Sequence, residues 1–134
     1  VRRMVRDLHL PVEIVGGPTL REPDGLAMSS RNVLLSPPER RAATILHQAL
    51  TAAAAAIAAG ERRADAIRQL LAEVLAREPL ARVDDAEVVD AATFQPVSQL
   101  QDTVILPLAV RIGATRLIDN LQLAVPASAA TADR

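Results

Sequence analysis

Met28-Ser29-Ser30-Arg31 is the segment of this chain best equipped for chemistry. It places two neighbouring hydroxyls, their backbone N–H groups and one guanidinium within four residues. That set suits a polyanion such as a triphosphate. Arginine stays charged at any working pH and presents a planar fork of donors to phosphate oxygens. On spacing alone, a tripeptide of two serines and an arginine fits a second description better: a polar connection with a solvated side chain. The wider stretch Leu20–Arg31 holds small hydroxyls, turn residues and little bulk. An apolar segment precedes it and a long helical pattern comes after it, which is where a scaffold presents a ligand loop.

Other chemistries find less support. His9 and His47 lie far apart on different elements, and neither has a partner at metal-ligand spacing, so both read as surface or packing residues. There is no cysteine, hence no thiolate nucleophile and no disulfide framework. There is no Gly-rich P-loop, Gly-x-Ser-x-Gly elbow or His-x-x-x-His pair. The 134 residues allow one modest domain, or a small domain with a piece of another. Half are apolar, so the core is built from Ala, Leu, Val and Ile. Phe94 is the single aromatic, which removes base stacking as a device for nucleic acid. A net charge of −1, from 15 basic and 16 acidic residues, argues against a general polyanion-binding surface. No apolar run approaches the ~20 residues of a membrane span, and Val1-Arg2-Arg3-Met4 is not followed by a signal-type core. No membrane or nucleic-acid partner is expected, and a cytoplasmic location is. The first residue is not Met, which fits a processed, trimmed or partial chain.

Periodicity gives the elements that must carry the loop. Residues 1–10 predict a short helix with Met4, Val5 and Leu8 on one face, ended by Pro11. Val12-Glu13-Ile14-Val15 predicts a strand closed by Gly16-Gly17-Pro18. Helix, strand, glycine turn and loop is the grammar of an α/β sheet. One helix and one strand cannot bury their own apolar faces, so residues 1–20 read as the tail of a larger, missing domain. Asp24-Gly25 signals a turn. Ser36, Pro37 and Glu39 form an N-cap with a capping box, opening a helix over 37–59. Ile45, Leu46, Ala49, Leu50, Ala53 and Ile57 share its inner face, and Gly60 caps it. The alanine run 52–56 fits close helix packing. A second helix over 63–77 carries the stripe Ile67, Leu70, Leu71, Val74 and Leu75, with Arg62, Arg63, Arg68 and Arg77 on a solvated face. Glu78-Pro79 stops it.

The rest predicts strands over 85–91, 103–112 and 115–125. Val104, Leu106, Leu108, Val110 and Ile112 alternate on one face, and Pro107 places that strand at an edge or a bulge. Gly113-Ala114 supplies the turn. Leu117, Leu121 and Leu123 alternate in the returning strand, and Asp119 shares their face, so it needs a partner; Asn120 points the other way. For both, a structural hydrogen bond is expected rather than catalysis. Residues 126–134 read as a disordered tail.

Arg21-Glu22-Pro23-Asp24-Gly25-Leu26-Ala27-Met28-Ser29-Ser30-Arg31-Asn32 closely resembles the signature of the pantothenate synthetases, the ATP-dependent pantoate–β-alanine ligases. The flanks resemble that family too. Val12–Gly16 is similar to its last Rossmann strand, Leu35-Ser36-Pro37 with Glu39-Arg40 to its next helix entry, and Arg111-Ile112-Gly113 with Thr115–Asn120 to its closing hairpin. The resemblance spans nearly all of residues 1–125. It implies a reaction in which ATP, with Mg²⁺, adenylates pantoate and releases pyrophosphate. The β-alanine amine then displaces AMP. It also implies a fold like that of the class I aminoacyl-tRNA synthetases, with a smaller C-terminal domain folding over a Rossmann domain, and a dimer for the intact enzyme.

On this resemblance Met28-Ser29-Ser30-Arg31 falls where those synthetases carry their Lys-Met-Ser-Lys-Ser loop. It implies phosphate contacts from Ser29, Ser30 and Arg31, with Met28 by the adenosine end and the Leu20 main chain meeting adenine. The family's His-x-Gly-His and Lys-Asp-x-Gln-Gln motifs are absent, and the chain has no lysine at all. The expected fold class is therefore α+β. Two packed helices and a small antiparallel sheet of about three strands come after the last helix and strand of a missing N-terminal Rossmann-like domain. The expected divisions are 1–20 as Rossmann remnant, 21–36 as ATP loop and hinge, 37–125 as C-terminal lid domain and 126–134 as tail. On these divisions the chain alone is expected to be inactive, and its unpaired strand 12–16 to drive self-association. The alternative is a non-catalytic folding or association module in which the loop binds nothing.

Overall fold

A computed structural model describes residues 1–127 of the chain. The order of elements is α1 (Arg2–Asp7), a 3₁₀ turn (Ser30–Leu34), α2 (Pro37–Ala42), α3 (Ile45–Ala58), α4 (Ala64–Leu75), then β1 (Ala81–Ala86), β2 (Val89–Asp90), β3 (Thr103–Ile112) and β4 (Thr115–Ala124). This is an α+β architecture: α3 and α4 pack together, and the antiparallel sheet lies against them. Among the described residues no helix is long and apolar enough to cross a membrane.

The sheet is organised by β3. β4 pairs along its whole length, from Thr103 opposite Ala124 to Ile112 opposite Thr115. β1 and β2 pair with its other edge, so the four strands occupy three rows. The expected alternation holds: Val104, Leu106, Leu108, Val110 and Ile112 are all buried, and Leu117 joins them from β4. Side chains standing opposite on one face are the unit of sheet stability. Here Leu117 faces Val110, Leu121 faces Leu106 and Leu123 faces Val104.

Pro107 departs from its expected place. β3 is the central strand, and the bulge lies in β1, between Val83 and Asp85. Glu87 N–H donates to the Pro107 carbonyl at 3.2 Å, but proline has no N–H to return. The outer row breaks opposite it, and the strand expected over 85–91 becomes β1 and β2. One missing donor thus costs a local break in the ladder rather than the strand's central position.

The helices obey their caps. Ser36 and Glu39 form the predicted capping box, with Glu39 accepting from the Ser36 N–H at 2.8 Å. Past α3, Gly60 takes φ +110. The Glu61 N–H reaches the Ala56 carbonyl at 3.0 Å and the Gly60 N–H reaches Ile57 at 3.1 Å, a Schellman ending. The single helix expected over 37–59 divides at Ala43-Thr44. The Thr44 hydroxyl donates to the Arg41 carbonyl at 2.9 Å, a local bond that competes with the helical ladder. The bend keeps Ala42, Ala43, Ile45 and Leu46 all buried. Ala53, within the alanine run, is fully buried, as are Ile67 and Leu71 on α4.

Two expectations about polar residues and one about a strand are corrected. Arg62 donates to the carbonyls of Ile57, Glu61 and Pro126, and so caps the end of α3. Arg68 pairs with Glu87 and Asp65 and donates to the Val97 carbonyl at 2.7 Å. Neither belongs to a merely solvated face. Residues 12–20 form no strand, because among the described residues no neighbouring strand offers them a ladder. The tail reading falls, beyond Ala127, outside the described residues.

Candidate functional site

The loop is a small hairpin leading into a turn of helix. Arg21 bridges Ala27 in antiparallel fashion. The Met28 N–H donates to the Leu20 carbonyl at 2.9 Å, and the Glu22 N–H to the Leu26 carbonyl at 2.8 Å. The predicted Asp24-Gly25 turn closes it, with Gly25 at φ +91. A side chain at that φ is strained, and a Cβ there would lie 2.0 Å from His47 Cδ2. Asp24 Oδ1 accepts from the Leu26 N–H at 3.3 Å, the Asx-turn chemistry that brings Asp to such positions.

Beyond the hairpin, Ser29 is extended and its Oγ accepts from the Arg31 N–H at 3.2 Å, capping the 3₁₀ turn. The Asn32 amide donates to the Ala27 carbonyl at 3.0 Å and clips the turn to the hairpin. Asn32 Oδ1 is buried without a partner. The Arg31 guanidinium is exposed and makes no hydrogen bond or ion pair among the described residues.

Two arginines hold this assembly to the domain. Arg21 makes a bidentate pair with Asp119 on β4, at 2.6 and 3.0 Å, and also donates to the Gly25 carbonyl at 3.0 Å. The Asp119 side chain is 3% exposed and that of Arg21 20%. The bond to Asp119 is the chief reason the Arg21 guanidinium holds its proton more tightly than usual. Asp119 thus has the partner its inward position demands. Arg40, on α2, makes a second bidentate pair with Asp24 at 2.8 and 3.2 Å. Those bonds, aided by the Leu26 N–H, hold the Asp24 carboxyl below the usual carboxylate range.

A cavity of about 580 Å³ opens between this loop and the β3–β4 hairpin. Met28, Ser29 and Arg31 line it, with Asn32, Arg116 and Asp119. Leu20 and Ser30, also expected at the site, are not among its lining residues. Arg116 is engaged with Asp84 at 2.9 Å, and Asp119 with Arg21, which leaves Arg31 as the cavity's uncommitted cation among the described residues. The roles of Arg21, Arg40 and Asn32 in holding the loop were not evident from spacing. The one signal was Asp119, a carboxylate on an apolar face.

Fold and loop together define an α+β module that presents a Ser-Ser-Arg loop over a cavity at the edge of its sheet. The chain belongs to the pantoate–β-alanine ligase family: the model for Pantoate-beta-alanine ligase matches residues 1–122. It is 56% identical over 122 residues to the pantothenate synthetase of Herpetosiphon aurantiacus, covering 90% of this chain and 44% of that protein. It is 54% identical over 123 residues to that of Roseiflexus sp., with 92% and 44% covered. The crystal structure of pantothenate synthetase from Thermus thermophilus superposes with a TM-score of 0.83 at 43% identity, over 90% of this chain and 43% of that one. A pantoate–β-alanine ligase of Francisella tularensis, solved with beta-gamma ATP and β-alanine, shares the fold at a TM-score of 0.51 and 22% identity. The chain therefore spans about 44% of the length of these curated relatives.

Proposed function

We propose that this chain provides the nucleotide-covering domain for the ATP-dependent ligation of pantoate to β-alanine, in the cytoplasm, through a pantoyl adenylate. The observation that carries this reading is Arg31. Its guanidinium stands uncommitted at a cavity that Ser29 also lines, on the loop that resembles the family signature. Attack of a carboxylate on the α-phosphorus gathers negative charge on the phosphoryl oxygens and on departing pyrophosphate. Ser29, Ser30 and Arg31 would hold those oxygens. Donors fixed before the reaction stabilise the charge that develops more than the charge already present. Met28 and the Leu20 main chain serve the adenosine end. Mg²⁺ accompanies the nucleotide and shields its phosphates; no side chain of this chain is assigned to it.

This donor set fits a polyphosphate and gives pantoate little. The His-x-Gly-His and Lys-Asp-x-Gln-Gln motifs are not in this sequence, so the isolated chain is inactive on this reading. The test is AMP formation from ATP, Mg²⁺, pantoate and β-alanine, with and without a separately made polypeptide carrying both motifs. Activity is expected only in the mixture. Arg31→Ala should lower it by about 10²–10³-fold, the usual loss of one transition-state donor. An unchanged rate for Arg31→Ala, or activity from this chain alone, would overturn the reading. The second reading, a non-catalytic association module, draws on the exposed apolar side chains of Val12, Val15, Leu20, Val33 and Leu34. It predicts self-association with no rescue in the mixture.

A further inference from the structure

We propose that Arg21 and Asp119 are positioning residues that fasten the Met28–Arg31 loop to the sheet, so that loop and sheet reach the nucleotide as one body. The proposal rests on the functional reading above for its consequence, and on geometry alone for the coupling. Every described hydrogen bond that residues 20–34 make to the remaining chain, apart from that of the adjacent Leu35, runs to later elements. Arg21 goes to Asp119 on β4 and Asp24 to Arg40 on α2; none goes to residues 1–19. The loop therefore belongs mechanically to α2 and the sheet, although in sequence it directly adjoins residues 1–19.

Asp119 stands where the alternation of β4 calls for an apolar side chain, opposite Leu108 and between the rows of Leu117 and Leu121. A carboxylate there forfeits hydration that leucine would not. Both its oxygens are taken up by the Arg21 fork, and Oδ1 also accepts from the Asn120 N–H at 2.7 Å. A hydrophobic residue could fill that position, but it could not fix the orientation of a guanidinium. The same guanidinium reaches the Gly25 carbonyl, so it sets the hairpin's tip as well as its base. The register of that hairpin determines where the chain leaves at Met28, and so where Ser29, Ser30 and Arg31 stand.

Amide exchange of the full chain tests the coupling directly, using Arg21→Ala, Asp119→Asn, the double variant and Arg21→Lys. The Glu22 and Met28 amides, which close the hairpin, should exchange about 10- to 100-fold faster in each single variant. The double variant should add nothing, and Arg21→Lys should fall between Arg21→Ala and the parent. Amides of α3 and α4 should keep their protection. Unchanged exchange at Met28 overturns the proposal. An equal loss across α3 and α4 overturns it too, because the pair would then serve the whole fold. In the reconstituted reaction, Asp119→Asn should raise the KM for ATP about tenfold and leave the KM for pantoate alone. Equal changes in both would overturn the positioning role. If the reaction ignores Arg31→Ala, the functional reading fails, while the exchange rates still decide the coupling.

Discussion

Gly25→Ala should destabilise the loop for two separable reasons. The backbone at φ +91 suits glycine, and a left-handed conformation costs an L-residue about 1–2 kcal/mol. The added Cβ would also lie 2.0 Å from Cδ2, 2.7 Å from Cγ and 2.8 Å from Nε2 of His47. His47 is a half-buried residue of α3 and its Nδ1 is already buried without a partner, which limits the room its ring has to yield. Overpacking of this kind costs about 1–3 kcal/mol, and the two terms together come to about 2–5 kcal/mol. Gly60 supplies the control. It has φ +110, and a Cβ there meets nothing within 4 Å, so Gly60→Ala carries the backbone term alone. Urea unfolding of Gly60→Ala, Gly25→Ala, His47→Ala and Gly25→Ala/His47→Ala separates the terms. In the His47→Ala background, Gly25→Ala should cost about what Gly60→Ala does. Amide exchange at Met28 catches a loop that detaches before the rest unfolds. If Gly25→Ala costs as much without the imidazole as with it, the steric reasoning is wrong.

Leu71→Ala, at a fully buried position on α4, should lower stability by about 2–5 kcal/mol in urea unfolding; a loss below ~1 kcal/mol would mean that the helix–sheet core is not packed as described. Glu87 titrates below the usual glutamate range: burial pushes its carboxyl up, but the Arg68 hydrogen bond and the Val88 N–H outweigh that. Its contribution to stability is therefore full above the unfolded value of about 4.3 and is lost as pH falls through the lower folded value. Glu87→Gln should flatten the stability curve below that pH, and an unchanged acid slope would refute this. The exposed Val12, Val15, Leu20, Val33 and Leu34 predict self-association of the chain, read by sedimentation at high micromolar concentration. A clean monomer there removes that expectation.

Features that depend on near neighbours in sequence were legible. The Ser36–Glu39 capping box, the Gly60 ending, the α4 stripe and the alternation of β3 all arise from spacings of two to five residues, and the structure has each of them. The Asp24-Gly25 turn was legible for the same reason. The differences arise where a competing bond overrules the simple pattern, a local one at Thr44 and a remote one elsewhere. Thr44 reads as an ordinary helical residue until its hydroxyl takes the Arg41 carbonyl. Arg62 and Arg68 read as solvated until the carbonyls of Pro126 and Val97 arrive from remote segments. Val12–Val15 has strand composition, but a strand is a pairing, and composition does not supply the partner.

Pro107 and Asp119 show the two ways an awkward residue can be informative. Pro107 violates a local rule, and the defect stays local: its missing N–H faces Glu87, so the outer row is interrupted there while the β3–β4 ladder continues opposite Asn120. No function need be attached to it. Asp119 violates the hydrophobic pattern, and its consequence is distant. Its partner, Arg21, stands 98 residues earlier, in the loop that carries the candidate chemistry. A pattern error that is absorbed by backbone geometry is structural noise. One that is answered by a half-buried, bidentate charge from another element fixes how two parts of the molecule sit together. The loop is therefore best understood from the sheet outward. Its hydroxyls and Arg31 were visible in twelve residues, but what aims them lies on a strand at the other end of the chain.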